Sequence, residues 1–153
     1  MRSILALCLL MASLTSTAAD YVARKFSFTY FGNDLGSRTY YSCDSAEDML
    51  KEHLERLGAQ SIRTSCFGGI QTWGGRLDAQ PVSLSARFQV LNDISATSRV
   101  VLSSRSRGEE NCDFNVSLLR QLLKVMPNVK LVSRQSSCRG SRGNWNYTLD
   151  VAL

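Results

Sequence analysis

Apolar side chains recur along this chain with two periods, every second residue in some stretches and every third or fourth in others. Phe26, Phe28 and Tyr30 alternate with Lys25, Ser27 and Thr29, which predicts a strand with one buried face. A turn-rich stretch, residues 32–36, follows. The period then changes, and Ala46, Met49, Leu50, His53, Leu54 and Leu57 fall on one face of a helix that starts beside Cys43. Asp44 with Glu47, or Ser45 with Asp48, can cap that helix reciprocally. Glu47 with Lys51 and Glu52 with Arg56 are favourably ordered i,i+4 pairs, and Gly58 supplies a left-handed stop. Residues 61–66 read as a short strand and residues 67–80 as a mobile, glycine-bearing loop. The clearest alternation comes next, with Val82, Leu84, Ala86, Phe88 and Val90 set against Ser83, Ser85, Arg87 and Gln89.

The same order then returns. After a turn at residues 92–98, Val100 and Leu102 open a fourth strand, and residues 105–110 form a charged loop. A helix is predicted over residues 115–126, with Leu118, Leu119, Leu122, Leu123 and Met126 on one face and Pro127 as its stop. Residues 129–138 read as a strand and residues 139–144 as a loop, before Trp145, Tyr147, Leu149, Val151 and Leu153 alternate along a last strand. Placing Cys43 on Cys112 brings Met49 onto Leu118, Leu50 onto Leu119, His53 onto Leu122 and Leu57 onto Met126 without a gap. Two copies of a strand-helix-strand-strand unit, residues 20–92 and 98–153, account for this order. Two such units predict an α+β two-layer sandwich: a mainly antiparallel sheet of about six strands with both helices on one face.

Cysteine usage adds a compartment. Arg2 precedes an apolar run that ends near the small residues Thr17, Ala18 and Ala19, the pattern of a signal peptide spanning residues 1–19. The run is too short to span a bilayer, for which ~20 residues are needed, and residues 20–153 contain no transmembrane segment by the same measure. Cys8 lies within the signal, leaving Cys43, Cys66, Cys112 and Cys138 for one exported domain of residues 20–153, periplasmic or secreted. An even count in an exported chain favours disulfides over thiols or metal ligands. The repeat selects Cys43 with Cys66 and Cys112 with Cys138 among the three possible pairings.

Setting Arg2 aside, seventeen basic residues face thirteen acidic ones. The excess is confined to residues 99–153, with nine basic and four acidic side chains; residues 20–98 carry eight and nine. The second half therefore reads as the basic one.

Catalytic chemistry finds little footing. His53 is the only histidine, and its alignment with Leu122 places it on the buried face. Asp44 and Asp113 each follow a cysteine at a helix start, where a carboxylate caps backbone amides. No metal set or phosphate loop is present, and no cofactor is expected. Two segments suit ligand contact: Trp73 with Arg76, and Arg139 and Arg142 with Trp145, each an aromatic plane beside a guanidinium on a glycine-rich backbone. Asn115 and Asn146 each begin a glycosylation sequon. The functional expectation is a non-enzymatic binding module of the envelope or extracellular space. It would meet a protein or glycan through those loops or through the polar face of the sheet. An anionic surface is a further partner class, and nucleic acid is disfavoured. An inhibitor of an exported hydrolase is the alternative, and a hydrolase using His53 the third reading.

Overall fold

A computed structural model describes residues 20–31, 41–73, 76–92, 97–103, 112–139 and 142–153; the side chains at 71–73, 76–79, 139 and 142 are outside that description. The expected signal peptide and the loops at 32–36 and 105–110 also fall outside it. The described residues form β1 (Tyr21–Tyr30), α1 (Cys43–Arg56), β2 (Gln60–Trp73), β3 (Arg76–Leu91), β4 (Thr97–Ser103), α2 (Cys112–Leu122), β5 (Val129–Arg139) and β6 (Arg142–Ala152). The fold is α+β. Disulfides join Cys43 to Cys66 and Cys112 to Cys138, as the repeat predicts.

The six strands make two antiparallel three-stranded sheets, β1-β3-β2 and β4-β6-β5, rather than one continuous sheet. In each half the last strand lies in the centre. Two of the four edge strands are irregular: β2 is bulged between Gln60 and Arg63 and again between Phe67 and Gly69, and β5 between Leu131 and Ser133. Bulges twist an edge and interrupt the row of free amides and carbonyls on which another strand would pair.

Residues 67–80 are the second correction. Instead of a loop, β2 and β3 continue as a paired hairpin arm out to Trp73 opposite Arg76. Gly68 and Gly69 bend this arm, with φ of 85° and 80°. A Cβ on Gly68 would lie 2.1 Å from the Pro81 carbonyl oxygen, and one on Gly69 2.6 Å from that of Tyr41. These glycines serve close backbone approach within a sheet. Likewise β5 and β6 pair out to Arg139 opposite Arg142 where a longer loop is predicted.

Helix α1 begins where Ser42 Oγ accepts from Ser45 N–H at 3.2 Å, so the cap sits before either expected pair. Glu52 and Arg56 make the expected i,i+4 contact at 3.9 Å, whereas Glu47 accepts from the Thr64 hydroxyl of β2. Helix α2 starts at Cys112, three residues earlier than its periodicity suggests.

Each helix touches both sheets. Helix α1 lies on β2 and β3, yet His53 meets Trp145 of β6 edge-on, and Arg56 donates to the Val101 carbonyl of β4 at 2.6 Å. Helix α2 lies on β5 and β6 and sends Phe114 into the rings of Phe28, Tyr30 and Tyr41, with centroids 4.5–5.7 Å apart. The buried side chains of both halves form one cluster. Asn128, fully buried, fastens the halves with polar bonds: its Nδ2 donates to the Leu57 carbonyl at 2.9 Å and to the Ala152 carbonyl at 3.3 Å.

Candidate functional site

The two disulfides hold each helix start against the strand that follows it. Closed loops of this size stabilise a fold by roughly 3 kcal/mol each in the chain-entropy model. On that frame, the loop candidates separate. Backbone pairing places Trp73 opposite Arg76, and Arg139 opposite Arg142, at the tips of equivalent hairpins. Their side chains are outside the described set. Trp145 is described, and it is core: only 6% exposed, it packs edge-on against His53 and Tyr147. An indole so enclosed offers no plane to a ligand in solvent. The alternation that makes Trp145 the first inward residue of β6 already carries that outcome.

His53 is also interior, 5% exposed. Its Nε2–H donates to Asn115 Oδ1 at 2.7 Å, and its Nδ1 is buried without a partner. Burial drives the imidazole pKa below its ordinary 6.5, opposed by the Asn115 bond and the Glu52 charge. The ring is neutral and enclosed. It joins α1 to α2. Asn115, the first sequon asparagine, is engaged in this pair and partly buried, while Asn146 stands exposed on β6.

The open surface lies on the other side of the sheets. On the face of β1-β3-β2 away from the helices, register aligns side chains in rows across three strands. One row is Lys25 opposite Arg87 opposite Arg63, all exposed. The next is Ser27, Ser85 and Ser65; then come Thr29, Ser83 and Phe67. Ser65 and Ser85 hydroxyls bond at 2.8 Å, Thr29 and Ser83 at 3.1 Å, and Phe67 ends the face 75% exposed. Three like charges one strand apart, ~4.8 Å, repel. Among the described residues the ion pairs are Arg56–Glu52 and Arg99–Asp150, so no described carboxylate neutralises this row.

Lys25 belongs to a second feature. A cleft of about 390 Å³ opens at the β1 edge between residues 23–25 and residues 124–127, lined by Arg24, Lys25 and Lys124. The Arg24 Nε is buried there without a hydrogen-bond partner.

Arg87 belongs to the polar sheet face that the sequence offers to a partner, whereas Lys25 and Arg63 are not among the site residues expected from sequence. Each occupies a polar position in an alternating stretch, which signals exposure but not alignment with the others. Among the described residues no cluster of three or more His, Cys, Asp or Glu could hold a metal ion, and no helix is long and apolar enough to cross a membrane. No protein-family model matches the chain, and comparison with curated proteins and with solved structures finds no match.

Proposed function

We propose that this chain is a disulfide-braced binding module that acts outside the reducing cytosol and meets its partner through the outer face of β1-β3-β2. The observation that carries this reading is the in-register row Lys25, Arg87 and Arg63, exposed and without an ion-pair partner among the described residues. Natural sheets avoid placing like charges directly opposite one another, since each such pair costs stability. A row of three is accounted for when an outside group supplies the opposite charge. The buried, neutral His53 supports binding over hydrolysis, and the two disulfides support an oxidising compartment.

A photo-crosslinking side chain at Ser85, central on this face, tests the assignment against one at Asn146, central on the outer face of the other sheet. In the native host, adducts from position 85 and none from position 146 are expected. Equal labelling from both positions, or labelling from 146 alone, overturns the assignment of the face.

A further inference from the structure

Resting on that reading, we infer that the face and the adjoining cleft form one track for a linear acidic polysaccharide, bearing sulfate or carboxylate groups. The track begins at Lys124 behind α2, passes Arg24 in the cleft, crosses the sheet edge at Lys25 and continues over Arg87 to Arg63. Lys25 lines the cleft and also heads the row, so the two features are continuous. Spacing across the row is one strand separation, ~4.8 Å, which suits successive charges along an extended polymer. Arg24 and Lys124 line the recessed end of the track and add two further cations to it.

The neighbours of the row decide the class of polymer. Ser27, Ser85 and Ser65 run parallel to the cations one step along the strands. Hydroxyls both donate and accept, so they can bond sulfate oxygens and sugar hydroxyls alike. Single-stranded nucleic acid is held by aromatic platforms between the cations, and here Phe67 stands at the far end of the face with the row of Ser27, Ser85 and Ser65 between it and the charges. An anionic bilayer presents charge in two dimensions, whereas these cations lie along one line. The chemistry therefore fits a sugar polymer with regularly spaced anions.

Heparin binding by the purified, oxidised protein, followed calorimetrically over a range of salt concentrations, provides the test. Affinity should fall steeply with salt, as for any ligand that releases counterions from a polyanion. Lys25→Gln/Arg63→Gln/Arg87→Gln should weaken binding about tenfold or more and flatten the salt dependence. Lys51→Gln/Arg120→Gln/Arg134→Gln, with the same net charge and its changes away from the track, should stay within about twofold. Urea unfolding of both triples verifies that they fold, and Arg24→Gln alone tests the cleft with a single change. Equal loss in both triples reduces the effect to net charge and overturns the inference. So does an absence of heparin binding by the unaltered protein, or tighter binding of an oligonucleotide or anionic vesicles at matched charge. If heparin binding fails while Ser85 still crosslinks to a partner, the face stands as a binding surface and the polysaccharide does not.

Discussion

Each three-stranded sheet carries a charged row on its outer face, and the two rows differ in one respect. Across β1-β3-β2 the row reads Lys25, Arg87, Arg63; across β4-β6-β5 it reads Arg99, Asp150, Lys130. In the second, a carboxylate on the central strand faces a cation on either side, and Arg99 Nε meets Asp150 Oδ1 at 2.9 Å. In the first, the central residue is itself a cation. The compensated row needs nothing from outside. The uncompensated one leaves a line of positive charge that a ligand can complete. The same backbone plan thus carries one row with an internal counter-charge and one with cations alone.

The comparison can be broken first at the braces, where the largest effect is expected. The disulfides span 23 and 26 residues, so removing either by paired Cys→Ala changes should cost about 3 kcal/mol in urea unfolding. A difference between the two of more than about 1 kcal/mol would show that the halves are not equivalent in their frames. Asn128 has no polar counterpart, since the repeat places it on Ala59. Asn128→Ala leaves the buried carbonyls of Leu57 and Ala152 without its amide and should destabilise by about 1–3 kcal/mol.

Below those comes the interior pair His53 and Asn115, whose counterparts by the repeat are Leu122 and Ala46. The folded pKa of His53 is lowered, so above about 6.5 the ring is neutral in both states and burial carries no protonation penalty. As pH falls below that value the unfolded chain takes up a proton that the folded chain resists, and stability declines. His53→Leu/Asn115→Ala, which copies the apolar pair, should remove that part of the acid-side decline. An unchanged pH profile in this variant would assign the dependence to other groups.

The smallest effects concern the rows themselves. Arg87→Gln relieves like-charge repulsion and should raise stability by some ~0.2–1 kcal/mol; Asp150→Asn should lower it by a similar amount. Both changes should shrink in high salt, because exposed charges are screened. Loss of stability in Arg87→Gln would mean that the row is neutralised within the chain, against the receptive reading.

Much of the fold was legible from alternation and the cysteines. The inward residues of β3, Val82 to Val90 at every second position, are buried as predicted, and the leucines of α2 are core. Residues 67–80 were not, because backbone pairing holds that arm and its glycines look like loop composition. Charge along the chain pointed to the second half as the basic one, while the uncompensated row lies in the first, where basic and acidic residues nearly balance. Lys25, Arg63 and Arg87 are separated by 38 and 24 positions, and only the ladder to β3 brings them together. No count along the chain contains that register. Trp145 fails in the opposite sense: its type suggested a contact residue, but its place in the alternation of β6 is inward.

In both halves the strand that completes the sheet is the last to emerge. β1 and β2 share no ladder and meet only through β3, as β4 and β5 meet only through β6. The two cysteines of each disulfide precede that central strand in the chain. During synthesis, both thiols and the intervening helix are therefore delivered while the first strand still lacks its neighbour. Oxidation has the opportunity to set the loop before the sheet closes over it. A chain arrested just ahead of β3 or β6 would hold its crosslink and two unpaired edges, the most association-prone moment of its folding. The order of parts makes the arrival of the central strand the step that ends that exposure.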